Sequence, residues 1–194
     1  MNTVSEQKKQ SVVREIEDAF RDTPRPVESN IVYDNSGKHL ECKDIKATLK
    51  GIRWSDIPRD PSAHYSASVF FMTPEARVYF LPGYMITCIE NDLEYESNSL
   101  AIETLLTPPS RKLRIFFWSA FADFLSLFTP IEPSDRSYKD SRSSFNRYVS
   151  LVTASQRRAI CSYLKLLAEK YSADYPPDEE IWSAIEFWQD FGKR

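Results

Sequence analysis

The segment His39-Leu40-Glu41-Cys42 sets an imidazole, a carboxylate and a thiol within four residues. His39-x-Glu41 matches one half of the zinc-deaminase signature, in which histidine ligates the metal and glutamate moves the proton. The Pro-Cys-x-x-Cys half is missing. His39 and Cys42 are also three apart, so on a helix they could share a face. The imidazole would then take the thiol proton and leave a thiolate nucleophile for a hydrolase or transferase. A buried cysteine beside a surface histidine is the commoner arrangement, and the pair is read that way first. His64 has no nucleophile motif near it. Neither G-x-S-x-G, H-E-x-x-H nor a calcium loop occurs. The two histidines and three cysteines never approach zinc-site spacing. The sequence therefore assigns no catalytic residue, no metal ligand and no cofactor.

Charge is the second chemical signal. Glu90-x-Asp92-x-Glu94-x-Glu96 is the densest acidic run. On an extended backbone its alternate spacing puts four carboxylates on one side, a negative field that would speed encounter with a basic surface. Such a surface is found in the substrate groove of a nuclease or similar toxin. Carboxylates also bind hard cations, but no ordering glycine accompanies these, and a solvated loop is the plain alternative. Asp178-Glu179-Glu180 is explained by the positive start of the last helix. Arg111, Lys112, Arg114, Arg136, Lys139, Arg142 and Arg147 interleave with Tyr138, Phe145 and Tyr148. A nucleic-acid module over residues 111–148 could use them for phosphate contact and stacking. Four acids in the same window and an overall charge of −3 argue against it, and no nucleic acid is expected. Glu90, Asp92, Glu94, Glu96, Arg136, Lys139 and Arg142 stand as candidate partner-contact residues.

The chain of 194 residues is long enough for one domain with a real core and needs no disulfide or metal to fold. It holds only four glycines, about 2% where roughly 7% is usual. Gly37, Gly51, Gly83 and Gly192 are scattered, so no phosphate-cradling loop is present. The polar start leads into no apolar signal region, and the greasiest stretch, residues 113–128, carries Arg114 and Asp123. Three well-separated cysteines read as reduced thiols. The expectation is a cytoplasmic protein with no membrane partner. Net charge is −5 over residues 1–110, +5 over 111–158 and −3 over 159–194.

Most of the apolar pattern is helical. Val12, Val13, Ile16 and Phe20 predict a helix ending before Pro24; Cys42, Ile45 and Leu49 predict a second, with Gly51 closing it. Asp60-Pro61 opens a short helix through 70 or 71. Thr73-Pro74-Glu75 opens another that carries Val78, Tyr79, Leu81, Met85 and Ile89, with a kink or break expected near Leu81 because Pro82 lies inside. Further helices are expected at 97–106 and 113–128, and residues 130–144 read as polar and loose. Thr153…Gln156 is a capping box before Ile160, Tyr163, Leu164 and Leu167. A last helix sets Ile181, Trp182, Ile185 and Trp188 on one side, and all four tryptophans (Trp54, Trp118, Trp182, Trp188) read as core. Phe121…Thr129 and Phe145…Thr153 share a pattern that reads as a reused helix corner. The expected fold is all-α: one compact bundle of about seven to eight helices over residues 1–194, with short capped joints and no large sheet.

At Thr73-Pro74-Glu75-Ala76-x-x-Tyr79-x-Leu81-Pro82-x-Tyr84 the chain resembles an uncharacterised family of small helical bacterial domains with a Thr-Pro-Glu-Ala…Tyr-x-Leu-Pro-x-Tyr core. The likeness extends to Glu15…Phe20…Pro24, Trp54, Leu106-Thr107-Pro108-Pro109 and Thr153…Ile160. Residues 111–144 look like an insertion beyond the family pattern. The resemblance implies a helical intracellular domain and supplies no catalytic residues. Its members look like accessory or immunity-type proteins. The expected function is accordingly that of a non-catalytic protein neutralising a bacterial toxin by direct contact. A hydrolase or transferase at His39/Cys42, or a nucleic-acid module at 111–148, is the alternative.

Overall fold

A computed structural model describes residues 4–59, 69, 71–91, 106, 108, 135–170 and 180–190. Six α-helices lie among the described residues: α1 (Glu6–Phe20), α2 (Leu40–Leu49), α3 (Pro74–Glu90), α4 (Asp135–Ser150), α5 (Ala154–Lys170) and α6 (Glu180–Asp190). The all-α expectation holds, and the count of seven to eight is corrected to six among these residues. Most of each expected helix at 60–71, 97–106 and 113–128 lies outside them.

Local chemistry sets the helix ends. Ser5 accepts a hydrogen bond from the Lys8 N–H, and α1 buries Val12, Ile16 and Phe20 along one stripe. Gly51 follows α2 at φ +81°, the left-handed backbone that a glycine adopts without a Cβ penalty. The Thr73 hydroxyl accepts from the Ala76 N–H at 3.2 Å and donates to the Asn30 carbonyl at 2.6 Å, so one side chain starts α3 and ties it to an earlier loop. The Thr153 N–H donates to Gln156 Oε1 at 2.9 Å while the Gln156 N–H donates to Thr153 Oγ1 at 3.3 Å, the reciprocal pair that the spacing predicts.

α3 is the central helix. Ala76 and every residue from Val78 to Ile89 are buried, so it is enclosed on all sides, with α1, α4 and a 3₁₀ turn at Trp54–Asp56 packed on it. α5 packs between α1 and α6. The helix runs unbroken through Pro82, which corrects the expected break: neighbours enclose both halves, and this packing outweighs the one backbone bond a proline forfeits. Where the 3₁₀ turn crosses α3, Gly83 lies so close that a Cβ there would stand 2.5 Å from the Trp54 carbonyl oxygen.

Two further expectations are corrected. Residues 135–144, read as loose, belong to α4, which continues without interruption through residue 144. Its polar first half hid the period, and Phe145, Tyr148 and Val149 dock its second half into the core. Trp182 is 39% exposed and is not core, whereas Ile181, Ile185 and Trp188 on the same helix are buried. Trp54 is partly buried against the core. Trp118 lies outside the described residues.

Candidate functional site

The sequence singles out His39 and Cys42, and the fold positions them with a third group. An isolated antiparallel bridge joins Val32 to Met72, with Tyr33 N–H donating to the Phe71 carbonyl and Thr73 N–H to the Ile31 carbonyl, both at 3.1 Å. This pins the loop before α2 against the start of α3 and brings Tyr33, His39 and Phe71 together. Ring centroids stand 5.7 Å apart for Tyr33–His39, 5.3 Å for His39–Phe71 and 6.2 Å for Tyr33–Phe71.

His39 is not on the helix. It is the residue before α2, with extended backbone at φ −90° and ψ 108°, which corrects the expectation of a shared helical face with Cys42. Its Nε2 is hydrogen-bonded to the Tyr33 hydroxyl at 3.1 Å. Its Nδ1 lies 3.1 Å from Glu41 Oε2 but off the line of a hydrogen bond, and makes none. Cys42 is fully buried. Desolvation, and after it the adjacent Cys42, raises the Tyr33 phenol above its ordinary value. The imidazole is thus occupied by a phenol, and the thiol it would activate has no path to a substrate.

The other thiols are equally enclosed. Burial pushes Cys88 up to about 12, against the opposing hydrogen bond from Tyr163, and burial also raises Cys161. A thiol reacts as its thiolate, so these are inert positions. In the native protein all three cysteines are expected to resist an aromatic disulfide reagent, and three are expected to titrate after denaturation. Rapid reaction of one thiol in the folded protein would reveal an open, activated cysteine.

Of the acidic run, Glu90 is the last residue of α3, and its Oε2 pairs with Arg59 Nε at 3.3 Å. Arg59 also donates to the Gly83 carbonyl at 3.1 Å, so Glu90 helps hold the segment that crosses α3. Asp92, Glu94 and Glu96 lie outside the described residues, as does His64. Arg136 and Lys139 lie on the backbone of α4, and Arg142 is exposed on it. Arg147, from the same basic stretch, reaches Glu75 Oε1 at 3.0 Å. Among the described residues no three of His, Cys, Asp and Glu gather closely enough to hold a metal ion.

A groove of about 390 Å³ opens where the end of α1, the start of α3 and the α4–α5 joint converge. Asp18, Asp22 and Glu75 line it, with Ala19, Val78 and Leu151 supplying apolar surface. Burial alone would raise the Glu75 carboxyl. Its own backbone N–H at the start of α3 and the Arg147 guanidinium outweigh burial and hold it below the ordinary glutamate range. Sequence reading missed this site because its carboxylates come from distant segments. One signal was legible: Asp18 sits in the last turn of α1, where the helix dipole is already negative and an acid is disfavoured.

The chain belongs to a family of unknown function, DUF6714, whose model matches residues 8–191. This agrees with the resemblance to an uncharacterised family. Comparison with curated proteins gives no match, and neither does comparison with solved structures. Among the described residues no helix is long and apolar enough to cross a membrane.

Proposed function

We propose that this protein is a non-catalytic, cytoplasmic binding protein of immunity type, which neutralises a bacterial toxin by direct protein–protein contact. The observation that carries the reading is the disposition of the one catalytic-looking pair: Cys42 is fully buried and the His39 Nε2 is taken by Tyr33. A covalent catalyst needs an accessible nucleophile with a free base beside it, and this corner offers neither. The surface supplies what a binding protein uses. Its charge is net negative at −3, with a pI near 5.5, and acidic side chains line an open groove. Such a charge favours encounter with a basic partner, as the substrate groove of a nuclease would be.

The test is co-expression with the products of the genes on either side of its own. One neighbour is expected to be toxic alone, to be tolerated when this protein is present, and to co-purify with it as a stable complex. Cys42→Ala and His39→Ala variants are expected to protect as well as the natural chain. Loss of protection in a folded Cys42→Ala protein, or neighbours that are neither toxic nor bound, would overturn the reading.

A further inference from the structure

We infer that the outward face of α2 is a self-association surface, on which a second copy of this chain docks with its own α2 parallel to the first. The inference stands apart from the immunity reading and neither needs nor excludes it. α2 turns Cys42 and Leu49 into the core, with Ile45 packed partly against it. At about 100° of turn per residue, the opposite side carries Leu40 and Ala47, seven apart, along its middle. Lys43 flanks that line on one side and Asp44 on the other. All four are exposed, Leu40 by 67%.

Lys43 and Asp44 are the two charges that this helix leaves open. Lys46 Nζ donates to Asn35 Oδ1 at 2.9 Å, Lys50 Nζ pairs with Glu28 Oε2 at 3.3 Å, and Glu41 lies against His39. Among the described residues, neither the Lys43 ammonium nor the Asp44 carboxylate has an ion-pair or hydrogen-bond partner. Charge complementarity then chooses the occupant and its direction. A two-fold axis parallel to two helices sets the left flank of one against the right flank of the other. Lys43 of each copy meets Asp44 of the other, and the pair forms twice. Leu40 packs on Leu40 and Ala47 on Ala47 across the axis, which covers the exposed leucine. An antiparallel pair would bring like flanks together, Lys43 beside Lys43 and Asp44 beside Asp44. The face of a ten-residue helix is about 15 Å long, well short of the roughly 800 Å² per partner of a standard interface, so the dimer is a weak one.

Sedimentation equilibrium of the full-length protein tests this, from micromolar to millimolar concentration. The average mass is expected to climb from one chain toward two. Lys43→Glu and Asp44→Lys are each expected to weaken association by about fivefold or more, because each removes two opposite-charge pairs and sets two like pairs in their place. Leu40→Ser is expected to weaken it as well. Two rescues exclude mere misfolding of the variants. Lys43→Glu and Asp44→Lys proteins mixed together are expected to associate at least as well as the natural chain. The double variant Lys43→Glu/Asp44→Lys, which exchanges the flanks, is expected to recover the natural affinity. A single-chain mass at every concentration would overturn the inference. So would single variants that associate like the natural chain, or a double variant that stays as weak as the singles.

Discussion

Trp188→Ala is expected to destabilise the protein by about 4 kcal/mol, the usual range for deleting a large buried aromatic being roughly 3–5. Trp188 is among the largest fully buried side chains. Its ring meets Phe145, Tyr148 and Phe187 with centroids 6.4, 6.1 and 5.4 Å away, in edge-on geometries that favour aromatic pairs. Its Nε1–H donates to the Leu106 carbonyl at 2.7 Å, so α6 is tied to a distant part of the chain by one buried bond. Truncation leaves a cavity and an acceptor without its donor. Trp188→Phe keeps most of the ring and loses the N–H, and an intermediate loss of about 1–2 kcal/mol is expected. Urea unfolding followed by circular dichroism measures both. A midpoint for Trp188→Ala within error of the natural chain would show that α6 is not integral to the core.

Gly83→Ala is the second large effect, and its sign runs against helix propensity. In an open helix the change would stabilise by about 1 kcal/mol. Here the added Cβ would stand 2.5 Å from the Trp54 carbonyl oxygen, 2.6 Å from Ile57 Cδ1 and 3.2 Å from Ile57 Cβ. The first of these is backbone and cannot rotate away. The 3₁₀ turn must lift off α3, which strains the Arg59 bond to the Gly83 carbonyl as well. A net loss of about 2 kcal/mol is expected, with a thermal midpoint lower by about 6 °C. Adding Ile57→Ala should not restore stability, because the Trp54 carbonyl stays in place. A Gly83→Ala protein as stable as the natural one would mean that the turn is loosely held.

The helix starts were legible because capping is a local affair. Thr73 and the Thr153–Gln156 pair each bond to an N–H within three residues, so type and spacing suffice. The first half of α4 was not legible, because its sequence is polar and carries no apolar period. The His39–Cys42 reading went astray by a single position: spacing predicted a common face, while the backbone makes His39 the cap and turns it toward Tyr33. Trp182 has the same spacing as its buried neighbours, yet it is exposed.

The sequence by itself determined that the described chain is helical, where α3 and α5 begin, and that its thiols are set in helices. Each of those follows from side chains interacting with their own backbone or with neighbours one turn away. Only the tertiary structure decided that Gly83 must stay bare beneath the Trp54–Asp56 turn. It alone gathered Asp18, Asp22 and Glu75 around one groove, and it alone gave the His39 imidazole a phenol for a partner. These are contacts between residues far apart along the chain, fixed by how helices pack, and no local period carries that information.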